Sequence, residues 1–193
     1  MKQEEIIKKM TEKEILFNVY ITQLIIFALA VVLSWFLFES FEDIKILFKW
    51  QPYLIFVIGG GSALLIIGFE LCLEKVVPKK MFDDGGINER VFKNLGVIHI
   101  FILSFIIAFS EELLFRGVLQ THFGIVPASI LFAVIHLRYL KKIILFIITI
   151  SLSFFLGWMY QITGNLLVPI FAHFTIDFVL GCILRFRNKE TNV

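Results

Sequence analysis

The chain has 193 residues, 59% of them apolar, including 23 Phe, and its net charge is only +2. This composition lies well above the roughly 45–50% apolar share of soluble domains and marks an integral membrane protein. The scattered Lys and Arg give no case for nucleic acid as a partner, and two cysteines without CxxC spacing exclude a disulfide framework or a cysteine zinc site.

Residues 1–16 are charged, with Ile6, Ile7, Met10 and Ile15 near helical spacing, and are expected either as a helix on the membrane surface or as a solvated leader. The apolar run from Phe17 to Phe38 is too long for a signal-peptide core. It is expected to remain as a signal anchor and first span, interrupted only by the polar residues Asn18, Thr22, Gln23 and Ser34. A second span is expected from about Pro52 to Leu73, where Gly59, Gly60 and Gly61 predict close helix packing and Glu70 reaches the interface. Cys72 and Cys182 lie in apolar runs and are expected to be buried thiols. In the polar segment 74–95, a turn at Asp83-Asp84-Gly85-Gly86 leads into a short helix. Asn88 is expected to cap it, and Val91, Phe92 and Leu95 to dock it at the membrane surface.

A third span is expected from Gly96 to about Gln120, a short fourth from Pro127 to Leu137, and a fifth from Ile143 to Ile162. After a turn at Gly164-Asn165 comes a sixth, Leu166 to Leu184. The expected fold is all-α, a polytopic membrane helix bundle of about six transmembrane helices. Residues 1–95 form a two-span N-terminal part, 96–184 a four-helix core and 185–193 a tail. The positive-inside rule orients this pattern. Lys2, Lys8, Lys9 and Lys13, then Lys75, Lys79, Lys80, Arg90 and Lys93, then Arg138, Lys141 and Lys142, then Arg185, Arg187 and Lys189 all fall on one side. Lys45 and Lys49 alone fall on the other, so both termini are expected in the cytoplasm of a cell-membrane protein.

Ser110 to Gly117 reads SEELLFRG and places Glu111, Glu112 and Arg116 inside an apolar span. Each such charge costs at least about 2.5–3.5 kcal/mol at the bilayer centre, so the three together call for a role. Glu112 and Arg116 are spaced i, i+4 and can neutralise one another, whereas Glu111 points about 100° away around the helix. Glu112 and Arg116 are therefore assigned to support and Glu111 to chemistry. Counted at the helical rise from the expected outer ends, Glu111, His136, His173 and Asp177 lie about 10–16 Å deep on three helices. His173 and Asp177, again i, i+4, present an imidazole and a carboxylate on one helix face, as metal ligands or a ligand and its orienting group would be. Phe132, four residues before His136, shares its helix face and packs there. His99 and His122 lack a carboxylate at helical spacing and are expected to be structural or interfacial. Ser110 lacks a GxSxG elbow, so a serine nucleophile is not expected. Two His and one or two carboxylates can activate water around a zinc ion with an open position, or as a general base with an oxyanion stabiliser. Either route leads to hydrolysis.

SEELLFRG, FAVIH and HFTID, in this order, resemble the three polar motifs EExxxR, FxxxH and HxxxN/D of the CPBP intramembrane proteases, which include the type II CAAX prenyl endopeptidases and bacteriocin-related bacterial proteins. The resemblance covers about Gly96 to Leu184. It implies a metallo- or glutamate endopeptidase acting on a membrane-associated or prenylated protein or peptide. Glu111 and His136 would activate the water, His173 and Asp177 would complete the site, and Glu112 and Arg116 would support it. Zinc, if used, would be held among Glu111, His136, His173 and Asp177. Asp177 stands where the endopeptidases often have Asn. An ionised carboxylate cannot donate to an oxyanion, so ligation or orientation of His173 is the more natural role. The rival readings are a non-catalytic immunity or partner-binding protein and a proton or metal-ion carrier, the latter weakened by the lack of broken helices or a repeated half.

Overall fold

The computed structural model describes residues 9–78, 81, 84–140 and 142–190, the last three by backbone alone. Its helices follow the chain as α1 (Glu12–Leu37), α2 (Phe41–Lys45), α3 (Tyr53–Val76), α4 (Ile87–Phe92), α5 (Val97–Phe123), α6 (Ile125–Ile135), α7 (Ile143–Thr163) and α8 (Leu167–Glu190). Two of them contain π-helical stretches, Tyr53–Gly59 at the start of α3 and Leu113–Gln120 within α5. The chain is a multi-pass membrane protein. α1, α3, α5, α7 and the Leu167–Arg187 part of α8 are long and apolar enough to cross a bilayer.

α6 is the exception among the six expected passes. Its 11 residues span about 16 Å at the helical rise, well short of a hydrocarbon core of about 30 Å. It nevertheless joins the two ends of the bundle. At the far end, His122 Nε2 lies 3.0 Å from the Leu37 carbonyl, the Leu166 amide donates to the Leu47 carbonyl (2.8 Å), and Asn165 Nδ2 donates to Lys49 O (2.7 Å). At the near end, Lys93 pairs with Glu12 (2.7 Å), Arg187 with Glu74 (2.8 Å), and Arg138, just beyond α6, donates to Asn88 Oδ1 (2.9 Å). Among the described residues, five helices are therefore long enough to cross, and the short α6 runs between the same two ends of the bundle.

Several boundaries move for local reasons. α1 starts before Phe17 because Thr11 and Glu14 form a capping box, the Thr11 amide donating to Glu14 Oε2 (2.6 Å) and the Glu14 amide to Thr11 Oγ1 (3.3 Å). Residues 12–16 thus belong to a span and not to a surface helix, and Ile15 is buried against Val91, Leu95 and Leu103. The expectation for residues 1–8 lies outside the described residues. The Asp83 half of the expected turn does too, but Asp84 caps α4 in place of Asn88, accepting from the Ile87 (3.1 Å) and Asn88 (2.9 Å) amides. Asp can accept two amides at a helix start, which frees Asn88 to bind Arg138. α4 is docked on protein, in the cluster of Ile87, Val91, Leu95 and Ile100.

Of the three central glycines, Gly59 and Gly60 pack against Val168 and Phe171 of α8, whereas nothing stands within 4 Å of a Cβ at Gly61. The expected burial of both cysteines is corrected. Cys72 is exposed on the outer face of α3 and Cys182 is half-buried, since an apolar membrane helix can turn a thiol to lipid as readily as to the core.

Candidate active site

The α-helical part of α5 ends at Glu112, and π-helical turns carry the chain from Leu113 to Gln120. π-Helical turns are rare and frequent at functional sites. Here they follow directly on the two glutamates. Glu112 is 0% and Arg116 1% exposed, and their i, i+4 pair forms at 3.0 Å. Each also reaches another helix. Arg116 Nη2 donates to the carbonyl (2.8 Å) and Oγ (3.0 Å) of Ser153 on α7, and its guanidinium lies 4.7 Å from the Phe132 ring centre on α6. Glu112 Oε1 faces His173 Nδ1 of α8 at 2.8 Å. Because a carboxylate oxygen accepts, Nδ1 carries the proton, and His173 Nε2 is left facing Asp177 Oδ2 at 3.5 Å. That distance is too long for a good hydrogen bond but close enough for charge to matter. Glu112 is therefore more than a partner for Arg116, because it sets the tautomer and orientation of His173.

Glu111 turns the other way, as the helix geometry requires, and is 5% exposed. Its Oε1 accepts a hydrogen bond from Gln23 Nε2 of α1 at 2.9 Å. His136 sits just past the end of α6, with φ −77° and ψ 55°. Its Nδ1 donates to the Phe132 carbonyl at 2.7 Å, which leaves Nε2 as the ring nitrogen not used in that bond. The ring leans on Phe132, with centres 4.8 Å apart, and is nearly parallel to Tyr139 at 5.9 Å. Phe132 also meets His173 edge-on at 6.3 Å, so one ring touches Arg116 and both imidazoles. Tyr139 lies outside the spans. Burial pushes its phenol above the usual range, so it stays neutral and its oxygen accepts from Arg138 (2.6 Å).

Glu111, Phe132, His136, His173 and Asp177 all line one cavity of about 1370 Å³. Its walls come from Met10 to Ile26 of the N-terminal region, Glu70 to Glu74 of α3, residues 84–92, and the near-end halves of α7 and α8. None of the lining residues belongs to the far-end segments 39–51, 121–125 or 164–166. Depth counted from the far end misplaces the common level, because α6 begins at Ile125 and His136 falls at its near-end terminus. Glu70 is half-buried and faces this cavity, the same one Asp177 lines. His99 and His122 stay outside, His99 bound to Tyr20 Oη (2.9 Å) and His122 at the far-end helix junction.

The donor set proposed for zinc is not gathered as a metal would require. Among the described residues, no three His, Cys, Asp or Glu side chains stand close enough to hold an ion. Glu111 faces Gln23, His136 Nδ1 faces a carbonyl, and His173 lies between two carboxylates. The arrangement as it stands does not fit a metal held by Glu111, His136, His173 and Asp177.

Two residues of the constellation were not anticipated, Gln23 and Ser153. The available signal was general, since a polar side chain in an apolar span needs a partner somewhere.

Residues 93–179 match the family model of Rce1-like type II CAAX prenyl endopeptidases. Over 167 residues the chain is 44% identical to the uncharacterized protein YpbD of Bacillus subtilis (strain 168), covering 86% of this chain and 88% of that one. No solved structure matches. With SEELLFRG, FAVIH and HFTID drawn around one cavity, the chain belongs to the Rce1-like CPBP family of intramembrane proteases.

Proposed function

We propose that the protein is an endopeptidase that cuts a membrane-associated or prenylated, CAAX-like protein or peptide by water activated on Glu111. One observation carries this reading. Glu111 and His173, each about nineteen-twentieths buried, face the same large cavity as His136 and Asp177, within spans where idle charges are costly. The free Nε2 of His136 orients the water, and Glu111 takes its proton as the oxygen attacks the scissile carbonyl. A C–O bond forms, the C–N bond breaks, and the proton passes from Glu111 to the leaving amine. His173, held between Glu112 and Asp177, lines the same cavity. No step runs through a metal.

The test uses purified protein in lipid nanodiscs with prenylated and unmodified reporter peptides, and metal analysis of the same sample. Glu111→Ala and His173→Ala are each expected to reduce cleavage by about 100-fold or more, the usual scale for a lost general base. Cleavage by both variants at the wild-type rate would overturn the assignment. Stoichiometric zinc whose removal abolishes cleavage would overturn the metal-free route alone. Loss of a cellular phenotype without any cleavage would favour the partner-binding or carrier rivals.

A further inference from the structure

Gln23 lies on α1, outside the segment 93–179 that matches the family, yet it touches the candidate base directly. It is 5% exposed, and its amide is engaged on both sides. Nε2 donates to Glu111 Oε1 at 2.9 Å, and Oε1 accepts from Ser110 Oγ at 2.6 Å. The two partners are adjacent in sequence but differ in chemistry. An ionised carboxylate can only accept, so the NH₂ group must face Glu111, and the carbonyl oxygen then requires a donor on its other side. Ser110 is such a donor. The Ile106 carbonyl lies 2.7 Å from the same hydroxyl, so its one proton is shared between the amide oxygen and the serine's own helix. A Gln in an apolar span with both amide atoms matched in this way is built for a position and not merely tolerated.

We propose that Gln23 is a positioning residue for Glu111, with Ser110 fixing the direction of its amide, so that the first span completes the catalytic carboxylate's surroundings. The inference rests on the reading of Glu111 as the base. It assigns α1 a part in the reaction. One wall of the cavity, from Phe17 through Thr22 to Ile26, belongs to the same helix, so a side chain here can hold Glu111 from that wall. The Gln23 amide carries no exchangeable acid at neutral pH and makes its contribution through geometry alone.

Gln23→Met keeps the length and volume of the side chain and removes both hydrogen bonds. It is expected to lower kcat by about 10- to 100-fold with KM within about twofold, the scale of a lost hydrogen bond to a charged group. Ser110→Ala should lower kcat by less, because the amide is then free to turn. Gln23→Asn, one methylene short, should fall between wild type and Gln23→Met. In the Gln23→Met background, Ser110→Ala should have no further effect on kcat, as expected if both act on Glu111 through one contact. Melting temperatures of all variants, measured alongside, separate misfolding from misplacement. If Gln23→Met keeps wild-type kcat while Glu111→Ala abolishes cleavage, the positioning role is refuted and the protease reading stands. Additive kcat losses for Gln23→Met and Ser110→Ala also refute it. If Glu111→Ala itself cleaves normally, the underlying reading fails instead.

Discussion

Arg116 is a fully buried cation, and its three kinds of partner show what that requires. A salt bridge to Glu112, a fork onto the Ser153 carbonyl and hydroxyl, and the face of Phe132 together replace its hydration. Only the first was legible, because i, i+4 spacing is a local code. Ser153 lies 37 residues away on another helix, and Gln23 88 residues from Glu111, so no periodicity could pair them. The same limit explains His173. Spacing ties it to Asp177, but its closer partner is Glu112, 61 residues earlier. Arg116→Lys keeps the charge but cannot fork or stack flat on a ring. It is expected to lower stability by about 1.5–3 kcal/mol and to slow cleavage by displacing Glu112 from His173. The check is thermal melting in detergent beside the cleavage rate. Wild-type values for both would show that the planar fork is not what holds the knot together.

Helix contacts decide how firmly that knot is held, and one that bears on it directly lies between α7 and the π-helical turns of α5. Gln120 Nε2 donates to the Gly157 carbonyl at 2.7 Å, which lays the Gln120 side chain against the α7 backbone. A Cβ at Gly157 would stand 2.7 Å from Gln120 Oε1 and 3.0 Å from Ile125 Cγ1. Gly157 lies one turn beyond Ser153 on α7, so pushing α7 outward here also withdraws the acceptors from Arg116. Gly157→Ala should therefore destabilise by about 1–3 kcal/mol, the usual range for overpacking, and reduce cleavage at a distance from the cavity. Pairing it with Gln120→Ala, which removes the nearest clash, should restore part of the melting temperature. No recovery in the double variant would place the strain elsewhere. The sequence signalled close packing at Gly59 and Gly60 through a run of small residues. It was silent at Gly157, where a single glycine carries the contact. The π-helical turns had no signal either, since hydrophobic patterning does not separate them from an α-helix over eight residues.

For the whole molecule, the open question is which side of the membrane the cavity faces. The contacts settle which segments share an end, and the charges orient that end. Every cavity-lining segment outside the spans belongs to the near end, with residues 84–92, Arg138 and Arg187. Lys13, Arg90, Lys93, Arg138 and Arg187 lie at the same end, and we propose from the positive-inside rule that this end faces the cytoplasm. A peptide would then reach Glu111 from the cytoplasmic side, past Lys13 and Glu14 on one flank and Glu89 on the other. Depth counted helix by helix pointed the other way, because α6 was taken as a full crossing when it is too short to be one. Labelling with a membrane-impermeant maleimide tests this directly, after Cys72 and Cys182 are replaced by Ser. Ser40→Cys, exposed at the far end, should react in intact cells. Glu89→Cys at the cavity mouth and Asn18→Cys on its wall, both exposed, should react only once the membrane is opened. Reaction of Asn18→Cys in intact cells, with Glu89→Cys still protected, would mean that the cavity is reached from the far side. The opposite pattern at Ser40→Cys and Glu89→Cys would invert the whole protein and bring substrate from outside the cell.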